Sequence, residues 1–169
     1  MGILKLYYKL RHPGVSDDMI PLRYHISLWK GIQKPIRKWF SAVLIPTIPF
    51  NGIRIICYKL CGYTIGGGVF IGMRCYLDDL CYDKIEIGNN VTISYGVYFA
   101  CHGRKQNHNK IIIKDGAYIG MRSSIIAPID ITIGEKSVIG ACSLVNRSVA
   151  PGDIVAGIPA KSLHPLVTK

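Results

Sequence analysis

From Ile65 onward, apolar residues return with a period of six. Units begin at Ile65, Ile71, Leu77, Ile87, Ile93, Phe99, Ile113, Ile119, Ile125, Ile133, Ile139 and Val145, and every first position is apolar. Gly stands second at positions 66, 72, 88, 120, 134 and 140. The fifth position is small or β-branched in ten units: Val69, Cys75, Cys81, Val91, Val97, Ala117, Ser123, Ser137, Ser143 and Val149. Three columns kept in step over so many units are the mark of a solenoid. One bulky aliphatic per short strand points inward and stacks on its equivalents in coils about 4.8 Å above and below. The small fifth residue faces inward near a corner, and Gly at the second position allows backbone angles that a side chain disfavours. Stacking buries a continuous core that no single repeat could bury alone. The pattern predicts an all-β solenoid.

The register is broken three times. Four residues are extra between Leu77 and Ile87, eight between Phe99 and Ile113, and two between Ile125 and Ile133. Extra residues must leave the coil as loops, and binding commonly uses such loops.

Before the repeats the pattern is helical. Ile3–Leu10 and roughly His25–Leu44 read as helices, the second broken by Pro35. Pro46 to Pro49 must be extended or a turn, because proline restricts itself and its predecessor. Asn51 is expected to cap a helix over Gly52–Leu60, with Gly62 as its stop. Ile53, Ile56, Cys57 and Leu60 share one face of it, and Arg54 and Lys59 lie off that face. The chain thus divides into a basic, partly helical cap at 1–62 and a solenoid at 63–169, with a loop at 100–110 and a closing segment at 151–169.

Charge sharpens this division. The chain carries 21 basic and 10 acidic residues, net +11. Residues 1–60 hold ten Lys and Arg against Asp17 and Asp18, so +8 of that excess sits at the amino end. The solenoid is nearly balanced at +3, with eleven against eight. The basic segment is expected to cap the first coil, whose strand edges would otherwise be open. Weak contact with an anionic membrane through Trp29, Lys30, Lys34, Arg37, Lys38, Trp39 and Phe40 is a secondary expectation. The basic residues interleave with apolar ones and match no nucleic-acid module. No export signal is visible, and the six cysteines lack zinc-type spacing, so a cytoplasmic protein with reduced thiols and no metal is expected, with any membrane contact at the inner face.

These features resemble the hexapeptide-repeat acyltransferases, whose fold is a left-handed parallel β-helix. The resemblance spans about residues 52–165. It is carried by the repeat columns, by ISYGVYFACHG at 93–103, AYIGMRSSI at 117–125, TIGEKSVIGACSLV at 132–145 and VAGIPAK at 155–161. Sugar O-acetyltransferases are the nearest in pattern. The resemblance implies acetyl-coenzyme A as cosubstrate, a sugar hydroxyl in cell-surface polysaccharide assembly as acceptor, and a homotrimer with sites between subunits. It places the general base at His102, with His108 as the competing residue; His12, His25 and His164 have no supporting context. This chain reads His102-Gly103-Arg104 where many relatives carry a loop carboxylate. Asp78, Asp79 and Asp83, about one coil earlier, are therefore the candidates to orient His102 or bind the acceptor, with Arg74 and Tyr95 on the acceptor side. For the coenzyme the resemblance implies Tyr118, Gly120, Met121, Gly140, Ala141, Asn146, Arg147 and Lys161. Serine, an amino sugar or a xenobiotic is the alternative acceptor. A non-catalytic scaffold is the alternative class, disfavoured by VAGIPAK and His102 together.

Overall fold

The computed structural model describes residues 3–21, 35–102 and 108–163. It divides into two compact units, 1–39 and 40–169. Within the first, helix α1 (Ile3–Arg11) lies against a 3-10 turn at Asp17–Met19. Asp17 receives Lys5 at 2.7 Å and also pairs with Lys9. Those hydrogen bonds hold its carboxyl down near 2. Of the second predicted helix, 25–34 lies outside the described residues, with Trp29, Lys30 and Lys34, while 35–39 is α-helical and Phe40–Leu44 forms a π-helix. Among the described residues no helix is long and apolar enough to cross a membrane.

The second unit is a left-handed parallel β-helix of about four turns with three faces. Face 1 stacks β1 (Thr64–Ile65), β3 (Ile85–Ile87), β6 (Ile111–Ile113) and β9 (Ile131–Ile133). Face 2 stacks β2 (Phe70–Ile71), β4 (Thr92–Ile93), β7 (Tyr118–Ile119), β10 (Val138–Ile139) and β12 (Ile154–Gly157), closed by the antiparallel β13 (Ala160–Ser162). Face 3 stacks β5 (Tyr98–Ala100), β8 (Ser124–Ile126) and β11 (Leu144–Val145), with Tyr76 bridged below Tyr98.

Register explains the columns. Ile65, Ile87, Ile113 and Ile133 are consecutive partners on face 1. Ile71, Ile93, Ile119, Ile139 and Val155 follow one another on face 2. Phe99, Ile125 and Val145 do so on face 3. All twelve first positions and all ten small fifth positions are buried. The buried serines stay satisfied locally: the Ser123 and Ser137 hydroxyls donate to the carbonyls of Gly120 and Gly134 at 2.8 and 2.7 Å. A Cβ on Gly120 would stand 2.6 Å from the backbone nitrogen of Ala141, so this position stays bare where the next coil's backbone passes over it.

Helix α2 (Asn51–Leu60) departs from expectation in two ways. Asn51 is its first residue rather than its cap. The Asn51 side chain instead donates to Val69 O and accepts from Ile71 N–H, both at 3.0 Å. The apolar stripe also faces outward: Ile53, Ile56 and Leu60 are 48%, 60% and 82% exposed. Buried in its place are Arg54 and Tyr58. The reason is chemical. An open first coil presents unpaired carbonyls and N–H groups, so polar side chains are what it can accept. Arg54 donates through Nε to Ile71 O at 3.1 Å and through Nη1 to Ile48 O. Tyr58 and Tyr63 direct their hydroxyls to Cys75 O and Leu77 O at 3.4 and 3.1 Å.

Candidate active site

All three register breaks emerge at the same edge, where face 3 turns into face 1. The first forms a 3-10 turn at Tyr82–Lys84, the second the loop after Cys101, and the third the bend at Pro128. This edge gathers the chemistry.

Asp78 follows the core residue Leu77 in the first coil and is fully buried. Its Oδ1 accepts the Leu80 N–H at 3.1 Å, and its Oδ2 accepts the Cys101 N–H at 2.8 Å. The same Oδ2 lies 2.6 Å from His102 Nδ1. With both oxygens accepting from backbone N–H groups, the carboxylate serves as acceptor, so Nδ1 carries the hydrogen. That tautomer leaves the Nε2 lone pair free to take a proton. The His102 side chain is 29% exposed, so one end of the ring is anchored and the other reaches solvent.

The base of the loop is pinned. His102 and His108 form an antiparallel bridge, Asn109 N–H donates to Cys101 O at 2.8 Å, and Asn109 Nδ2 donates to Ala127 O at 2.8 Å. His108 itself is exposed. Residues 103–107 lie outside the described ones.

The three candidate carboxylates separate cleanly. Asp78 holds the histidine. Asp79, also buried, accepts the Tyr76 hydroxyl on Oδ1. Burial first, and then this carboxylate, push the Tyr76 hydroxyl well above the usual phenol range. Asp83 is exposed and lies 3.9 Å from Lys84 Nζ. Cys81 places its sulfur within 4.8 Å of donor atoms of Asp78 and His102. Two ligands of one tetrahedral zinc ion would stand roughly 3.3 Å apart, against 2.6 Å between Asp78 and His102. Burial pushes the Cys81 thiol up to about 11. The geometry is that of a hydrogen-bonded pair.

The remaining expected site residues fall elsewhere. Arg74 and Tyr95 are exposed at the other edge of face 3, where face 2 turns into it, and one chain does not bring them to His102. Gly120, Met121, Gly140 and Ala141 occupy that second edge too, in successive coils. Tyr118 stands beside them on face 2, accepting the Ser94 hydroxyl at 3.2 Å. Asn146 and Arg147 share His102's edge two coils further on. Arg147 and Lys161 both line a cavity of about 300 Å³ under the closing hairpin, with Ser148, Asp153 and Ser162.

Two features escaped the sequence reading. Arg54, which lies off the apolar stripe of its helix, is buried. Tyr76 and Tyr98 stack outside face 3 with centroids 4.7 Å apart and planes 15° from parallel. Both hold the sixth position of their unit, one coil apart, and that shared column was the available signal.

No family model matches the chain. It is 37% identical over 127 residues to the serine acetyltransferase of Bacillus subtilis, covering 73% of this chain and 54% of that protein. It is 34% identical over 95 residues to the bifunctional protein GlmU of Rubrobacter xylanophilus, covering 56% of this chain and 20% of that one. The chain thus spans between a fifth and about half the length of these relatives. Among solved structures, a hexapeptide-repeat acetyltransferase of Vibrio cholerae superposes with TM-score 0.61 at 26% identity, over 80% of this chain and 89% of that one. Its acetyl-coenzyme A complex superposes at 0.64 and 24% identity, over 81% and 89%. Along its solenoid, this chain has the left-handed β-helix fold of hexapeptide-repeat acetyltransferases and is similar to members of that group in sequence.

Proposed function

We propose that this protein is an acetyl-coenzyme A-dependent O-acetyltransferase acting on a saccharide hydroxyl, in the assembly of cell-surface polysaccharide. The Asp78–His102 pair carries the reading. His102 Nε2 takes the acceptor hydroxyl proton as that oxygen bonds to the acetyl carbon. The imidazolium formed is held by Asp78, and the same proton then passes to the departing thiolate as the C–S bond breaks. The thioester supplies the activated acetyl group; the chain supplies the base and its orientation. Asp83, exposed on the Tyr82–Lys84 turn at the same edge, is the carboxylate left open to other acceptor hydroxyls. Thiol release from acetyl-coenzyme A, measured against sugars, sugar nucleotides, lipid-linked glycans and serine, tests the proposal. Release only with serine would replace the sugar acceptor, a second reading favoured by the serine acetyltransferase similarity.

For the coenzyme, Met121 and Ala141 are exposed in successive coils along one edge, and Arg147 and Lys161 offer charge for phosphate at the closing cavity. Arg147→Ala should raise the KM for acetyl-coenzyme A about tenfold, the worth of one charge-assisted contact, and leave kcat near wild type. Steady-state kinetics checks this split; a collapse of kcat at unchanged KM would remove Arg147 from the coenzyme site.

A trimer would join what one chain keeps apart, setting the Arg74 and Met121 edge of one subunit against the His102 edge of the next. Light scattering should then give about three times 18.7 kDa. An active monomer would defeat that arrangement.

A further inference from the structure

Face 3 carries an outward column that the repeat does not require: Tyr76, Tyr98, Ser124 and Leu144 in consecutive coils. The first two rings lie flat on one another at 4.7 Å and 15°. Tyr98 is nevertheless 42% exposed. Tyr76 covers it from below, and the next position above holds only the short side chain of Ser124. The second face of the Tyr98 ring is thus bordered by a small residue rather than by another ring. The stack is also tied to the candidate site. The Tyr76 hydroxyl donates to Asp79, whose neighbour Asp78 holds His102. Tyr98 stands four residues before His102 in the same coil.

A flat ring with one open face, in the same coil as the candidate base, suits one kind of acceptor. The C–H face of a pyranose packs on an aromatic ring while its hydroxyls point sideways to polar partners. We infer that the face of the Tyr98 ring turned toward Ser124 is the stacking subsite for a pyranose ring of the acceptor. This rests on the proposed transfer to a saccharide and assigns the place where the sugar ring packs.

The test uses the full chain with acetyl-coenzyme A and the methyl pyranosides of glucose, galactose, mannose and N-acetylglucosamine, with serine as the ring-free acceptor. Wild type should transfer to at least one pyranoside. Tyr98→Ala should raise the KM for that glycoside about five- to tenfold, the scale of one aromatic contact, with the KM for acetyl-coenzyme A unchanged. Tyr98→Phe, which keeps the ring, should recover most of the affinity. Ser124→Trp, which fills the shelf, should weaken the glycoside as Tyr98→Ala does. Saturation-transfer NMR on the glycoside C–H protons gives a readout independent of turnover, and their signal should vanish in Tyr98→Ala. An unchanged glycoside KM in Tyr98→Ala and Ser124→Trp overturns the subsite and leaves acetyl transfer standing. Changed oligomeric mass in Tyr98→Ala would assign the ring to packing and also overturn it. Thiol release with serine but no pyranoside overturns the subsite and the sugar reading together. No thiol release with any acceptor overturns the acetyl-transfer reading itself.

Discussion

His102→Ala should lower turnover by roughly 100- to 10,000-fold while leaving fold and coenzyme affinity near wild type. That range is the usual worth of a positioned general base. The fold should survive because the ring lies at the solenoid edge, and its one bond to Asp78 is made outside the stacked core. Asp78 in the variant still accepts two backbone N–H groups, so the buried carboxylate is not stranded. Asp78→Asn separates orientation from basicity. One oxygen of Asp78 serves both Cys101 N–H and His102 while the other accepts Leu80 N–H. The amide must therefore turn its NH₂ either to Leu80 N–H, losing that bond, or to Cys101 N–H and His102 together, losing the backbone bond and forcing the hydrogen onto Nε2, where it blocks proton abstraction. Turnover should then fall by on the order of 100-fold with His102 intact. His108→Ala should cost only a few-fold, since that exposed ring has no comparable carboxylate partner among the described residues. Full activity in both histidine variants, measured by thiol release, would move the base to another group, with Asp79 and Asp83 next to test.

The solenoid was legible because its core repeats. A residue such as Ile93 is buried by Ile71 and Ile119, which occupy the same place in their own units, so a sequence column is also a physical column. Helix α2 was misread for the opposite reason. An amphipathic helix normally turns its apolar side to an apolar neighbour, but its neighbour here is the polar rim of an open coil. Arg54 and Asn51 face inward to satisfy that rim, and nothing in residues 51–60 alone announces it. At the site, His102 and the group of nearby carboxylates were visible from the register breaks. The choice among Asp78, Asp79 and Asp83 was not. It depends on which carboxylate the chain turns toward Cys101 N–H, and one residue of displacement moves a side chain to the other side of the strand. The division of the coenzyme residues between two edges was hidden too, because a list of motifs carries no information on which corner each one turns.

Phe99→Ala should produce the largest loss of stability, about 3–5 kcal/mol, the usual cost of removing a fully buried aromatic. Phe99 is completely buried, hydrogen-bonded through its backbone N–H to Tyr76 O at 2.9 Å, and in register with Ile125 above. It is the one aromatic in a first-position column otherwise built of aliphatics, so the cavity left behind would be the largest such a truncation makes. A solenoid transmits that loss unevenly, since each coil is stabilised chiefly by its neighbours. The gap lies in the second coil and would loosen the first coil and α2 while β9 to β11 keep their partners. Hydrogen exchange should therefore show protection lost at Ile71 and Arg74 amides before Gly140 and Cys142. Turnover should fall as well, because Asp78 and His102 sit on the two coils that Phe99 holds together. A single cooperative transition displaced by less than about 1 kcal/mol, with uniform protection, would mean that the coils do not act as separable neighbours.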